Sequence, residues 1–219
     1  MDFEFIREYT PLYAEAAILT LNIAVKGILI SIGLGLICSL IRYFKILVLN
    51  RITIIYIELS RNTPLLIQLF FLYFGLPKLG IVLSSEACAI FGLVFLGGSY
   101  MAEAFRSGLE SIAAIQKESG LSVGLTQLQV FRYIILPQAI SVSMPAFSAN
   151  VIFLFKETSV FSAVALADLM FVAKDLIGLY YKTDEALFML VMAYAIILLP
   201  LSLIFSIIER RLRYAGFGI

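Results

Sequence analysis

Residues 21–41 run from Leu21 to Ile41 with one charge, Lys26. A helix needs about 20 mostly apolar residues to cross the hydrocarbon of a bilayer, so this run alone suffices for one span. Four more follow at residues 54–76, 87–105, 139–155 and 186–208. Hydrocarbon offers a backbone no hydrogen-bond partners, so each span must satisfy itself as a helix. The chain therefore reads as an all-α, polytopic membrane protein of about five transmembrane helices. Composition agrees: 62% of the residues are hydrophobic, against roughly half in a soluble domain.

The start carries Asp2, Glu4 and Glu8 against Arg7, and its first apolar run is long and late. That pattern argues against a cleaved leader. Cys38 and Cys88 fall within expected spans and read as small buried hydrophobes. There is no His among the 219 residues, which removes His-based metal sites and His general bases. No internal repeat divides the chain, so residues 1–219 read as one domain.

Lysine and arginine collect on the cytoplasmic side of bacterial spans. With the N-terminus outside, Arg42, Lys45, Arg51, Arg106, Lys117, Arg132, Arg210, Arg211 and Arg213 fall inside, and only Arg7, Lys78, Lys174 and Lys182 fall outside. Nine against four favours an outside N-terminus and a cytoplasmic C-terminus. Residues 106–138 then form the long cytoplasmic connection. Residues 157–185 form the outer one, apolar enough to pack as a short helix near the surface.

The inner connection holds "QKESGLSVGLTQLQVFRYIILPQA". Leu121, Leu125, Leu128, Phe131 and Ile135 recur at helical spacing, with Ser122, Thr126, Gln129 and Arg132 on other faces. The spacing predicts an amphipathic helical segment. Gly120 and Gly124 interrupt it, which points to a turn or a close backbone approach. Pro137 suits the first turn of the following helix. On spacing alone the segment also fits a plain connector lying on the membrane.

Glu118-Ser119-Gly120, then Gly124 four positions on, then Ile134, Leu136 and Pro137, resembles the E-A-A-x3-G-x9-I-x-L-P loop of ATP-binding cassette importer permeases. Ser119 and Gly120 stand in place of its two alanines. Three further stretches resemble the polar amino acid branch of that family: "YIELSRNTPLLIQLFFLYFGLP", with Asn62 where glycine is usual, "SYMAEAFRSGLESI", and "LPQAISVSMPAFSANVIFLFKETSV".

The resemblance implies a type I importer permease fold in a bacterial cytoplasmic (inner) membrane. The loop, as a coupling helix carrying Glu118, Ser119, Gly120, Gly124, Ile134, Leu136 and Pro137, would dock into a cytoplasmic ATP-binding cassette ATPase dimer. It further implies a second permease subunit, identical or homologous, an extracytoplasmic solute-binding protein, an amino acid substrate and surrounding lipid. No Walker A pattern occurs in the chain, so ATP hydrolysis would lie elsewhere. No cofactor or metal is implied.

Ionisable groups within spans are functional candidates. Lys156 and Glu157 stand where the fourth span ends outward, either as an interfacial pair or in the permeation path; Asn150 and Gln68 are further polar lining candidates. Lys156 is expected to hold a substrate carboxylate, and Glu157 to meet the ammonium or form a structural pair. With no carboxylate cluster, a neutral or acidic amino acid fits better than a cationic one. Glu58 with Arg61, and Glu103 with Arg106, are three apart and read as ion pairs anchoring span ends. Lys26 reads as a lone snorkelling lysine. The alternative function is an autonomous secondary carrier or channel for small polar solutes.

Overall fold

The computed structural model describes residues 1–217, with side-chain surroundings through Leu212. Arg213, counted above for orientation, lies outside the described side chains. The helices are α1 (Phe3–Tyr43), α2 (Leu47–Arg61), α3 (Leu65–Phe70), α4 (Ser85–Glu110), α5 (Ala114–Ser122), α6 (Gln127–Val130), α7 (Leu136–Glu157), α8 (Leu169–Tyr180) and α9 (Thr183–Phe217). No strand occurs among the described residues.

Four helical stretches are long and apolar enough to cross a membrane: Phe3–Tyr43, Ser85–Glu110, Gln127–Val164 and Thr183–Leu212. The expected second span is not one helix. It breaks into α2 and a shorter apolar helix, Leu65–Leu79, that includes α3. Pro64 has no N–H and disfavours helical backbone at Thr63, so α2 stops at Arg61 and α3 starts after the proline. The Gln68 amide braces the break: Nε2 donates to the carbonyls of Ser60 and Thr63, each at 3.1 Å, and to Thr63 Oγ1 at 3.0 Å. Pro64 has no N–H to offer the Ser60 carbonyl, whose other partner is Thr63 Oγ1 at 3.4 Å.

The two halves of α1 do different work. Its C-terminal half lies along α4 so closely that a Cβ on Gly35 would stand 2.8 Å from the Ala102 backbone nitrogen. Between helices in lipid, where apolar burial gives no net drive, such backbone approach supplies the packing. The N-terminal half projects beyond α4 and packs Phe5, Tyr13 and Ala16 onto Leu169, Val172 and Leu176 of α8 and Ala186 and Met189 of α9. Tyr13 donates to the Ala186 carbonyl at 2.7 Å, and Lys182 Nζ reaches Asp2 at 3.0 Å. The apolar outer connection is thus a packed helix, as its composition predicts. Asp168 caps it, accepting from Phe171 N at 2.9 Å. Burial pushes that carboxyl up to about 6.

Two wide π turns, Phe71–Gly75 and Phe131–Ile135, each end two residues before a proline, Pro77 and Pro137. A looser turn is one way to separate a proline ring from the carbonyl four residues back. Pro137 does fall in the first turn of α7. However, α7 continues from α6 through the π turn instead of starting afresh, giving the unbroken Gln127–Val164 stretch.

The amphipathic segment is likewise not one helix. Gly124, at φ +88°, ends α5, and α6 restarts after a capping box between Thr126 and Gln129. The expected stripe is split: Ile135 is buried, whereas Leu121 and Leu128 are exposed. Lys26 is not alone, since Glu86 at the outer end of α4 meets it at 3.1 Å. Both cysteines are free and buried, as expected.

Candidate functional site

The break in the second span opens onto a cleft of about 510 Å³. That volume is within the range of small-molecule sites. Its wall consists of the break itself (Arg61, Asn62, Thr63, Pro64, Leu65 and Leu66), Leu96 and Tyr100 of α4, and Phe153, Glu157 and Val160 beyond. Tyr100 lies near the middle of α4, and Leu154 reaches the level of Gly97. Consequently the cleft opens level with the middle of α4, although Glu157 ends an α-helix. The last turn continues as a 3-10 segment, Thr158–Val164.

The cleft carries one charge of each sign. Arg61 lies over the Tyr100 ring, 5.1 Å from its centroid, and Glu157 faces the same space from α7. Tyr100 is held from behind: Asn150 Nδ2 donates to its carbonyl at 3.0 Å, and Phe153 stacks on its ring at 5.0 Å. At the start of α3, Ile67 N and Gln68 N already donate to Pro64 O. Leu65 and Leu66, whose N–H groups precede those bonds, belong to the cleft wall, and a helix start favours an anion.

Of the four path candidates, Glu157 alone lines this cleft. Lys156 is exposed and absent from its wall, as the 100° turn between adjacent helical residues dictates. Asn150 acts one layer back, on Tyr100. Gln68 faces the break and a separate apolar groove of about 790 Å³ with Phe71, Phe91 and Phe95. Arg61, Thr63 and Tyr100 were not read as site residues from sequence. The signal was Asn62-Thr63-Pro64, a helix-breaking triplet inside an apolar run.

The ion pairs also differ from expectation. Glu103 does bind Arg106, at 2.7 Å, but Arg42 of α1 binds it too, and Arg61 comes within 3.9 Å. Glu58 instead accepts from the Asn62 amide at 3.2 Å. No Glu58–Arg61 bridge occurs.

At the end of the bundle where α1 and α4 finish, the second candidate surface is built by α5 and α6. Gly120 is buried because a Cβ there would lie 2.8 Å from side-chain atoms of Val130 and Ile134. Val130 and Ile135 pack on Leu109 and Ala139, with Ile134 and Tyr43 alongside. Glu118, Ser119, Gly124 and Pro137 are exposed and Leu136 half-buried, while Ile115, Val123 and Leu128 put apolar surface outward. Gly124 N donates to Leu121 O at 3.0 Å and Leu125 N to Gly120 O at 3.2 Å. That pair of bonds is a Schellman ending, which requires left-handed backbone at Gly124.

A family described as "Binding-protein-dependent transport system inner membrane component" matches residues 31–214. The probable amino-acid permease protein YxeN of Bacillus subtilis is 36% identical, covering 95% of this chain and 93% of its own. The glutamine transport system permease protein GlnP of Escherichia coli is 31% identical over 97% and 98%. Among solved structures, an amino acid ABC transporter crystallised with histidines superposes with a TM-score of 0.90 at 31% identity, over 96% of this chain and 99% of that one. The broken helix, the cleft beside it and the α5–α6 surface therefore stand in a chain that belongs to the binding-protein-dependent transport system inner membrane components, as a multi-pass permease of the ATP-binding cassette class and not an enzyme.

Proposed function

We propose that this permease carries a neutral polar amino acid inward through the cleft at the broken second span. The observation that carries the reading is that Arg61 and Glu157 line one cleft, level with the middle of α4. A zwitterion leaving water needs a charge-assisted partner at each end. Arg61, with the N–H groups that start α3, suits the carboxylate, and Glu157 suits the ammonium. Lys156 then serves as a surface anchor. Broken helices whose half-helix starts face an anionic substrate group are a recurrent transporter device.

Glu157 is the only carboxylate on the cleft wall among the described residues. A cationic side chain would find no second one, and an acidic side chain would have to share Arg61. A neutral substrate fits best, consistent with the glutamine named for the Escherichia coli relative. With the complex in proteoliposomes, a panel of labelled amino acids should show ATP-dependent uptake of neutral polar members ahead of Arg and Lys. Preferred uptake of Arg or Lys would overturn the substrate class. Uptake without ATP would favour an autonomous carrier.

The same reading includes a second permease subunit around a central path, an ATPase dimer docked at α5 and α6, and an outer solute-binding protein. It places residue 1 outside and residue 219 inside. Ser111, exposed at the inner end of α4, tests this because Cys38 and Cys88 are buried. A cysteine placed at Ser111 should escape an impermeant thiol reagent in intact cells and react in inverted vesicles. Labelling in intact cells would reverse the topology.

A further inference from the structure

Arg61 has two neighbours competing for its charge. One is the cleft, where its guanidinium lies over Tyr100. The other is Glu103 of α4, whose Oε2 is 3.9 Å from Arg61 Nη1. Glu103 is already engaged by Arg106 Nη2 at 2.7 Å and by Arg42 Nη1, while Glu110 takes a second nitrogen of Arg106. Three guanidinium groups thus share one carboxylate, and Arg61 is the most loosely held. It is also the only one of the three that lines the cleft.

We infer that Glu103 is a positioning residue that competes with the substrate carboxylate for Arg61 and so sets how tightly the cleft holds its cargo. The inference rests on the carboxylate role proposed above for Arg61. A transported solute must be bound well enough to enter and weakly enough to leave. Glu103 supplies the weakening, because each increment of attraction it exerts on Arg61 is withdrawn from the substrate, and its own charge repels a carboxylate. Arg42 opposes it. By occupying Oε1, Arg42 partly neutralises Glu103 and leaves Arg61 freer. Arg42 sits in the last turn of α1, beside Tyr43, which stacks on Phe131 of the inner π turn at 5.4 Å. Movement of the inner surface that loosens Arg42 would therefore turn Glu103 toward Arg61 and lower the cleft's affinity.

The test is equilibrium binding to the permease–ATPase complex in nanodiscs, without delivery protein. The probes are the best-transported of the common L-amino acids and its carboxamide, which lacks the carboxylate charge. Glu103→Gln should tighten binding of the acid about fivefold and leave the amide unchanged, the scale of a partly exposed ion pair. Glu103→Asp should stay near the native value. Arg42→Gln should move the acid in the opposite direction, which keeps the idea testable where Glu103→Gln assembles poorly. In an Arg61→Met background the effect of Glu103→Gln should vanish. A change of equal size for acid and amide, or one that persists without Arg61, overturns the competition. If Arg61→Met itself leaves the preference for acid over amide untouched, the carboxylate role of Arg61 fails, and this inference falls with it.

Discussion

Glu157→Gln is expected to reduce ATP-dependent uptake by roughly 30-fold or more, the equivalent of about 2 kcal/mol for a charge-assisted hydrogen bond lost in a confined site. The substitution preserves volume and removes only the charge that faces the substrate ammonium. Arg61 would then be the sole charge on the cleft wall, and a zwitterion would enter with one end unpaired. Membrane insertion and delivery-protein affinity should be unaffected, because neither depends on the cleft. Lys156→Met is the control. Its side chain is exposed and outside the cleft wall, so uptake should stay within about twofold of native, as for most surface changes. Loss of uptake in Lys156→Met with normal uptake in Glu157→Gln would reverse the assignment and return the carboxylate role to the lysine.

The contrast between those neighbours shows what could be read from the sequence. Hydropathy located four of the five expected spans, because twenty apolar residues in lipid leave the backbone only one satisfied conformation. On a regular helix the adjacency of Lys156 and Glu157 keeps both from facing one ligand, but periodicity could not say whether the helix stays regular there or which of the two lines the cleft. The cleft itself was hidden because averaging over residues 54–76 conceals Pro64, whose effect is local and absolute while hydropathy is smooth. Partners far apart in sequence were also out of reach. Lys26 finds Glu86 sixty residues on, and Glu103 draws Arg42 and Arg61 from two other helices. The spacing of three correctly gave Glu103 with Arg106, yet the same spacing misled for Glu58 with Arg61, since a spacing rule permits a pair without excluding a better partner. In the loop at residues 106–138, the leucine stripe suggested helix while Gly120 and Gly124 pointed to a turn or a close backbone approach, and the turn falls at Gly124 and the close approach at Gly120. The turn comes from the two Schellman bonds around Gly124, which depend on three-dimensional closure.

Gly124→Leu is expected to give a chain that inserts normally but loses substrate-stimulated ATP hydrolysis by about tenfold or more. Two causes converge there. Backbone at φ +88° costs an ordinary residue about 1–2 kcal/mol, enough to loosen the ending of α5. In addition, a Cβ at Gly124 meets nothing of its own chain within 4 Å, so a side chain there stands in open space on a loop that also exposes Glu118 and Ser119. If an ATPase docks there, that projection holds the two surfaces apart. Gly124→Asn separates the causes, because asparagine tolerates left-handed backbone far better than leucine. Close approach as the dominant need predicts that Asn also uncouples the complex, whereas a need only for the turn predicts that Asn retains most of the coupling. We expect the first result, since the empty space around Gly124 is an observation about shape and the turn alone would be satisfied by either Gly or Asn. Substrate-stimulated hydrolysis at the native rate in Gly124→Leu, with transport intact, would remove the docking role from this loop altogether.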